Sequence, residues 1–347
     1  MTKSLVFITG ATGFIGSHTA EAVLRAGYRI RLSIRKAEQE AVIRKRHAAF
    51  ESDIETILVP DLTHPESFNK ALEDVDYILH VASPMPGQGE DFVKDYQKPA
   101  VDGTVALLDT ALKFKQIKKV VIVSSVLAML HLEDWGKTEF YARENTGEKI
   151  NLDLSVPFPA GPEGYGKKYH ASKILSHQAT RDWLSANNPH FAVLTLHPVF
   201  VLGDSLIQET ADQIGGINAW LWDSAITGTP RLGNIWVHVR DVADAHVKAL
   251  EKDIPSGTEF ILSAPGISWD KAASFIKEKF PEVESKLEPP INFNWSVETK
   301  AADELLGMKW RSQETILEDV FNQQLFLQGK RSSLLDTSDT RPTWITT

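Results

Sequence analysis

Residues 5–20 read LVFITGATGFIGSHTA, and no other stretch narrows the fold of this chain as far. An apolar, β-branched run ends at Thr9, glycines follow at 10, 13 and 16, and apolar residues then return at helical spacing. At a strand-to-helix turn the three glycines serve different ends. One allows a tight reversal, one a close backbone approach to a pyrophosphate, and one close packing of helix on strand. The helix start adds unpaired N–H groups and a positive dipole end. Three glycines alone would fit an ordinary turn. The strand before them and the helix after them supply the context that a dinucleotide site needs, so Thr9, Gly10, Thr12, Gly13, Phe14, Ile15 and Gly16 are expected around the cofactor phosphates.

The rest of the first half repeats this alternation. Residues 5–9, 29–34, 55–59, 77–81 and 120–124 read as strands, and helical spacing runs over 14–26, 38–50, 65–72 and 91–115. Strands that alternate with helices imply βαβ units and a parallel sheet covered on both faces. The near-continuous apolar character of these strands fits that burial. The expected fold is α/β, a Rossmann-type doubly wound parallel sheet with a smaller, mainly helical substrate lobe. The dinucleotide-binding domain is placed at 1–200 plus 236–262, the lobe at 201–235 plus 263–330, and a loosely ordered tail at 331–347. Within this plan FAVLTL and EFILSA are further strands. IWVHVRDVADAHVKALE is a strand and helix returning to the sheet, and 268–329 is mainly helical.

Composition excludes several classes of function. With 347 residues, 42% hydrophobic and 24% charged, the chain can bury a large core. A net charge of -9 argues against a general nucleic-acid binder. There is no cysteine, hence no disulfide, thiolate-zinc site or cysteine nucleophile. The apolar run in MTKSLVFITG is too short for a signal peptide, and no stretch approaches the roughly 18 apolar residues of a membrane span. A cytoplasmic protein with a small-molecule partner, neither nucleic acid nor membrane, is expected, as a monomer or homodimer.

The end of the second strand bears on which dinucleotide binds. NAD readers place a carboxylate there for the ribose 2′-hydroxyl; this chain has Ile34, Arg35 and Lys36. A guanidinium pairs with a 2′-phosphate that an acid would repel, so NADPH is favoured. Asp61 and Leu62, after the third strand, can meet the adenine, although Asp61 would equally cap a helix near Pro65.

Further on, GYGKKYHASK places Tyr169 four residues before Lys173, one turn apart on one helix face. That spacing suits either an exposed amphipathic pair or a phenol tuned by an ammonium for proton transfer. Two more stretches join it: VVIVSS, a strand ending in Ser124 and Ser125, and HVRDVADAH. With the glycine triplet and the late ETKAADELLGMKW, this set resembles the extended short-chain dehydrogenase/reductase family over nearly the whole chain. Within that family it looks most like the group that contains the dihydroflavonol reductases, cinnamoyl-CoA reductases and yeast NADPH-dependent aldehyde and ketone reductases.

The resemblance implies reduction of an aldehyde or ketone to an alcohol. Tyr169 would donate the proton, Ser125 would hold the carbonyl oxygen, and Lys173 would lower the phenol's pKa and bind the nicotinamide ribose. It also places Val81, Ala82 and Ser83 of HVASP beneath that ribose, and Pro198 and Val199 of HPVFVLGD beside the carboxamide. His170, and the histidines at 131, 197, 238 and 246, are assigned structural roles, and no metal site is expected. NAWLWDS suits either a pocket wall or core. The family's short acidic-Trp motif does not map onto one place: Asp134-Trp135 and Glu144-Asn145 are both candidates. Two rival functions share parts of this pattern. A nucleotide-sugar epimerase or dehydratase would favour NAD and an acid near Ile34, and a non-catalytic cofactor sensor would lack the catalytic tyrosine.

Overall fold

The computed structural model describes residues 3–331 apart from Gln88 and Trp135. The first half builds β1 (Leu5–Thr9), α1 (Phe14–Arg25), β2 (Arg29–Ile34), α2 (Gln39–Arg46), β3 (Ile54–Leu58), α3 (Glu66–Asn69), β4 (Tyr77–His80), α4 (Lys98–Ala111) and β5 (Lys119–Val123). Then come β6 (Glu139–Ala142), α5 (Gly161–Asn187), β7 (Ala192–Pro198), β8 (Phe200–Leu202), α6 (Gly216–Thr227), β9 (Trp236–His238) and α7 (Val239–Glu251). The chain closes with β10 (Glu259–Leu262), α8 (Trp269–Lys279), β11 (Asn294–Val297) and α9 (Gln313–Leu327).

Seven parallel strands form the central sheet in the order β10-β7-β5-β4-β1-β2-β3. The order reverses between β1 and β4. In open α/β sheets that switch point leaves a crevice at the carboxyl ends of the strands, where ligands bind. Alternation along β1 shows why an unbroken apolar run suits this position. Val6 and Ile8 join the core under α1 and α7, while Leu5 and Phe7 join the opposite core with Phe68, Leu107 and Trp183. All four are at most 4% exposed, so a polar residue at any of them would be buried without a partner. A third core, with Trp236, Trp269, Phe280 and Phe321, fills the lobe of α6, α8 and α9.

One expectation needs correction. The strand of IWVHV does not rejoin the main sheet: β9 pairs in parallel with β8 as a separate ribbon, and α7 alone returns to pack on α1. The carboxyl-terminal segment is mainly helical, as expected, but it also holds a strand that was not expected: β11 pairs with β6 in register Asn294↔Glu139 to Val297↔Ala142. That ribbon fastens the long segment between Ser125 and Tyr169 to the lobe. NAWLWDS divides between the two readings: Trp222 is buried against Phe321, while Trp220 is 39% exposed. The tail placed at 331–347 lies, apart from Arg331, outside the described residues, as does Trp135.

Candidate active site

The cradle at the switch point is set by backbone proximity. Gly10 has φ +75°, and a Cβ there would stand 2.7 Å from the Ala82 nitrogen. A Cβ on Gly16 would stand 2.1 Å from the Gly10 carbonyl oxygen, but one on Gly13 would stand 3.4 Å from that same atom. Gly13 is the N-cap of α1 with no side-chain cap, and the first turn carries no acid. Its N–H groups are therefore open to an anion. Thr12, Phe14 and Ile15 are half-buried at this rim. Thr9 differs from the expectation. Fully buried, its hydroxyl bonds His80 Nδ1 at 2.9 Å and accepts the Val81 and Ala82 N–H groups at 3.1 Å, so it braces β1 against β4 from behind the cradle. Ser83, next along, donates to the Pro84 carbonyl at 3.3 Å.

A stability prediction follows from the glycines. Gly16→Ala should destabilise the cofactor-free protein by about 2 kcal/mol, because rigid backbone has to shift, whereas Gly13→Ala should leave the melting temperature nearly unchanged. Thermal unfolding checks both; equal, small shifts would contradict the steric account.

At the adenine end, Arg35 and Lys36 are exposed past β2. Their backbone N–H groups both donate to Gln39 Oε1, at 2.8 and 3.1 Å, which shapes the turn. Among the described residues neither side chain has an ion-pair partner. Asp61 accepts the Thr63 N–H and hydroxyl on one oxygen, both at 2.8 Å, and these bonds lower its pKa. One carboxylate oxygen is thus spent on the turn. Leu62 is half-buried behind it and faces Gly103.

Across the crevice, Ser125, Tyr169 and Lys173 come together. The two serines separate. Ser124 donates its N–H to the Leu196 carbonyl at 2.7 Å and lines an inner cavity of about 10 Å³. Ser125 caps a short turn, Val126–Met129, accepting the Leu127 N–H at 3.2 Å, and its hydroxyl faces the Tyr169 phenol closely enough to pull its pKa down. On α5, Tyr169, Lys173 and His177 follow each other at one-turn intervals along one face. Lys173 is 4% exposed, yet among the described residues its ammonium has no hydrogen bond or ion pair. Its nearest notable contact is the Tyr169 ring, whose centroid is 5.5 Å from Nζ. A buried cation left without a partner is a strong reason to expect a ligand there.

Electrostatics depart from the spacing argument. Burial pushes the Tyr169 phenol up to about 12, and the opposing influence is the Ser125 hydroxyl, with Lys173 making no resolved contribution. Burial also brings Lys173 down to about 8. The ammonium lies over the face of the ring, and the one group resolved as lowering the phenol's pKa is Ser125. Tyr169 is consequently held protonated, as a proton donor must be. Pro198 and Val199 lie buried at the end of β7, the Val199 N–H bonded to the Leu262 carbonyl at 3.1 Å.

Several polar groups have partners that the sequence did not reveal. Glu144 accepts the Ile261 N–H at 2.7 Å and also the Ala301 N–H, which fastens the segment after β6 to β10. Asn145 bonds the backbone of Glu259 in both directions, at 2.8 and 2.9 Å. This pair is therefore a structural clasp. His238, Asp204 and Asp319 cluster with ligand atoms within 4.8 Å of one another. Arg240 Nη2 supplies the cation, 2.7 Å from Asp204 and 3.4 Å from Asp319, so the cluster joins α7 to α9.

Glu144 carries a pH prediction. Burial, reinforced by Glu298 and Asp303, raises its carboxyl to about 7 against the pull of two N–H donors. A folded pKa above the unfolded value means stability present below about pH 4.5 and lost as the pH rises through 7. Glu144→Gln should be less stable than the parent at pH 5, and the gap should shrink by about 2 kcal/mol by pH 8. Denaturant melts across that range check this, and a constant gap would contradict it.

Comparison with known proteins places this geometry. The model of the NAD dependent epimerase/dehydratase family matches residues 6–262. The ketoreductase sphI of Aspergillus fumigatus is 36% identical over 333 residues, covering 94% of this chain and 98% of its own. A putative NADPH-dependent methylglyoxal reductase, GRP2 of Candida albicans, is 28% identical over 340 residues, covering 91% and 97%. The crystal structure of yeast methylglyoxal/isovaleraldehyde reductase Gre2 complexed with NADPH superposes with TM-score 0.81 at 22% identity, covering 94% of this chain and all of that one.

Proposed function

Because the chain belongs to the NAD dependent epimerase/dehydratase family, we propose that it uses NADPH to reduce an aldehyde or ketone to an alcohol. The observation that carries the reading is the meeting of Ser125, Tyr169 and the unpartnered Lys173 across the crevice from the glycine cradle. The relatives named ketoreductase and NADPH-dependent reductase support the same chemistry.

The residues present fit the cofactor. The cradle excludes any Cβ at Gly10 and Gly16, leaving bare backbone for a pyrophosphate, and the buried Lys173 ammonium needs the hydroxyls that a ribose offers. Arg35 and Lys36 would hold the 2′-phosphate, and Asp61 and Leu62 the adenine. Val81–Ser83, Pro198 and Val199 would flank the nicotinamide end. When bound, the cofactor supplies hydride to the carbonyl carbon. Tyr169 gives its phenol proton to the carbonyl oxygen, and Ser125 donates a hydrogen bond that orients that oxygen beside the phenol. Tyr169 then recovers a proton from solvent.

The absence of an acid at the end of β2 weighs against an NAD-dependent epimerase, and the retention of Tyr169 against a sensor. A small-molecule carbonyl partner, a monomer or homodimer, and a cytoplasmic location complete the reading. In support, no helix among the described residues is long and apolar enough to cross a membrane, and the chain has no cysteine. The test is NADPH oxidation by purified protein across aldehydes, α-dicarbonyls, β-ketoesters and aryl ketones, with NADH in parallel. Turnover that favours NADPH is expected; a bound but unconsumed cofactor on every carbonyl would contradict the reading.

A further inference from the structure

His197, the residue before the end of β7, is fully buried, and its ring reaches across to the end of β5. Nδ1 lies 3.1 Å from the Ser125 carbonyl oxygen and Nε2 lies 2.8 Å from the Thr195 hydroxyl. A carbonyl only accepts, so Nδ1 carries the hydrogen, and Nε2 of the neutral ring accepts from Thr195. Burial, ahead of the neighbouring His177, holds the imidazole well below its usual pKa, so this single tautomer persists across the working pH range.

The other bonds that hold Ser125 are local. Its carbonyl accepts the Ala128 N–H at 3.0 Å and its hydroxyl accepts the Leu127 N–H at 3.2 Å, both from the short turn that follows it. One residue earlier, the Ser124 N–H donates to the Leu196 carbonyl at 2.7 Å, so β7 holds the strand end as far as Ser124. Among the described residues, the bond from His197 is what ties the Ser125 peptide itself to a neighbouring strand. The ring is backed in turn by His177, edge-on at 4.6 Å, and His177 lies 3.1 Å from Glu259. Glu259 also meets Arg181 at 2.6 Å and accepts the Asn145 N–H at 3.0 Å. Thus α5, β7, β10 and the segment after β6 converge behind one buried imidazole.

We propose that His197 is a positioning residue for the carbonyl reduction, holding the Ser125 hydroxyl beside that of Tyr169 through the Ser125 backbone. The proposal rests on the roles given above to Ser125 and Tyr169. His197 touches no reacting atom and transfers no proton; it fixes a distance. Displacing a catalytic group by about 1 Å costs on the order of 100-fold in rate.

The experiment compares His197→Leu, which keeps bulk without a donor, with His197→Asn, whose amide nitrogen can take the place of Nδ1. For each, kcat, KM for the carbonyl, NADPH affinity by fluorescence, the pH profile and the melting temperature are measured. The Leu variant should lose about 10- to 100-fold in kcat with NADPH affinity within about twofold of the parent. The Asn variant should recover kcat to within a few-fold on an unchanged pH profile. A parent-like kcat in the folded Leu variant, or a folded Asn variant as slow as Leu, would overturn the proposal. Should the Leu variant not fold, His197→Gln replaces it, since its amide reaches the place of Nε2 instead. Gln slower than Asn is then expected, and equal rates would overturn the proposal. An inactive parent protein would defeat the assigned function itself, whereas an active parent with an indifferent position 197 would defeat only this inference.

Discussion

Tyr169→Phe should lower NADPH-driven carbonyl reduction by about 10²- to 10⁴-fold, the usual contribution of a positioned general acid, while NADPH still binds within a few-fold of the parent. The change removes one oxygen and keeps the ring, so the face over which Lys173 Nζ sits is preserved. Ser125 keeps its bond from the Leu127 N–H and its fixed place at the strand end. What disappears is the one hydroxyl of the cluster acidic enough to yield its proton. The phenol stands near 12, well below an alkyl hydroxyl such as that of Ser125. Steady-state rates and fluorescence titration of NADPH separate the two effects. A fall in binding that parallels the fall in rate would make Tyr169 a structural residue.

Arg35→Asp should weaken NADPH by about 100-fold and NADH by only a few-fold. The guanidinium is exposed and unpaired among the described residues, so the fold loses little when it goes. A charge-assisted bond to a 2′-phosphate is worth roughly 1.5–3 kcal/mol, and an aspartate adds repulsion to that loss. Lys36 remains nearby and tempers the effect. Dissociation constants for both cofactors check the prediction. Equal weakening of the two would show that Arg35 contacts something common to them, and the 2′-phosphate assignment would be lost.

How far the sequence reaches depends on how local the controlling contacts are. The strand and helix of the cradle were legible because sterics leave a mark in residue choice: only glycine tolerates the contacts at 10 and 16. The strands of the central sheet were legible because burial on both faces makes each an apolar run. The β6–β11 ribbon was not, since EFYA and NWSV are short, half-exposed and joined across more than a hundred residues of chain. The partners of Glu144, at Ile261 and Ala301, are as distant and are backbone groups that no side-chain pattern announces. His197 is a lone histidine in TLHPVF, and only the neighbouring strand reveals what it holds. The phenol shows a subtler limit. The spacing of Tyr169 and Lys173 predicted their contact correctly, but whether an ammonium tunes a phenol depends on where Nζ lies about the ring.

The most direct test of the central claim follows the hydride itself. The protein is incubated with an α-dicarbonyl and NADPH deuterated at its transferable position, and the product is analysed by mass spectrometry. One deuterium on the new carbinol carbon, with one NADPH consumed per alcohol formed, is the predicted result. Deuterium left entirely in the cofactor, with the carbonyl unchanged although NADPH is bound, would contradict the assignment.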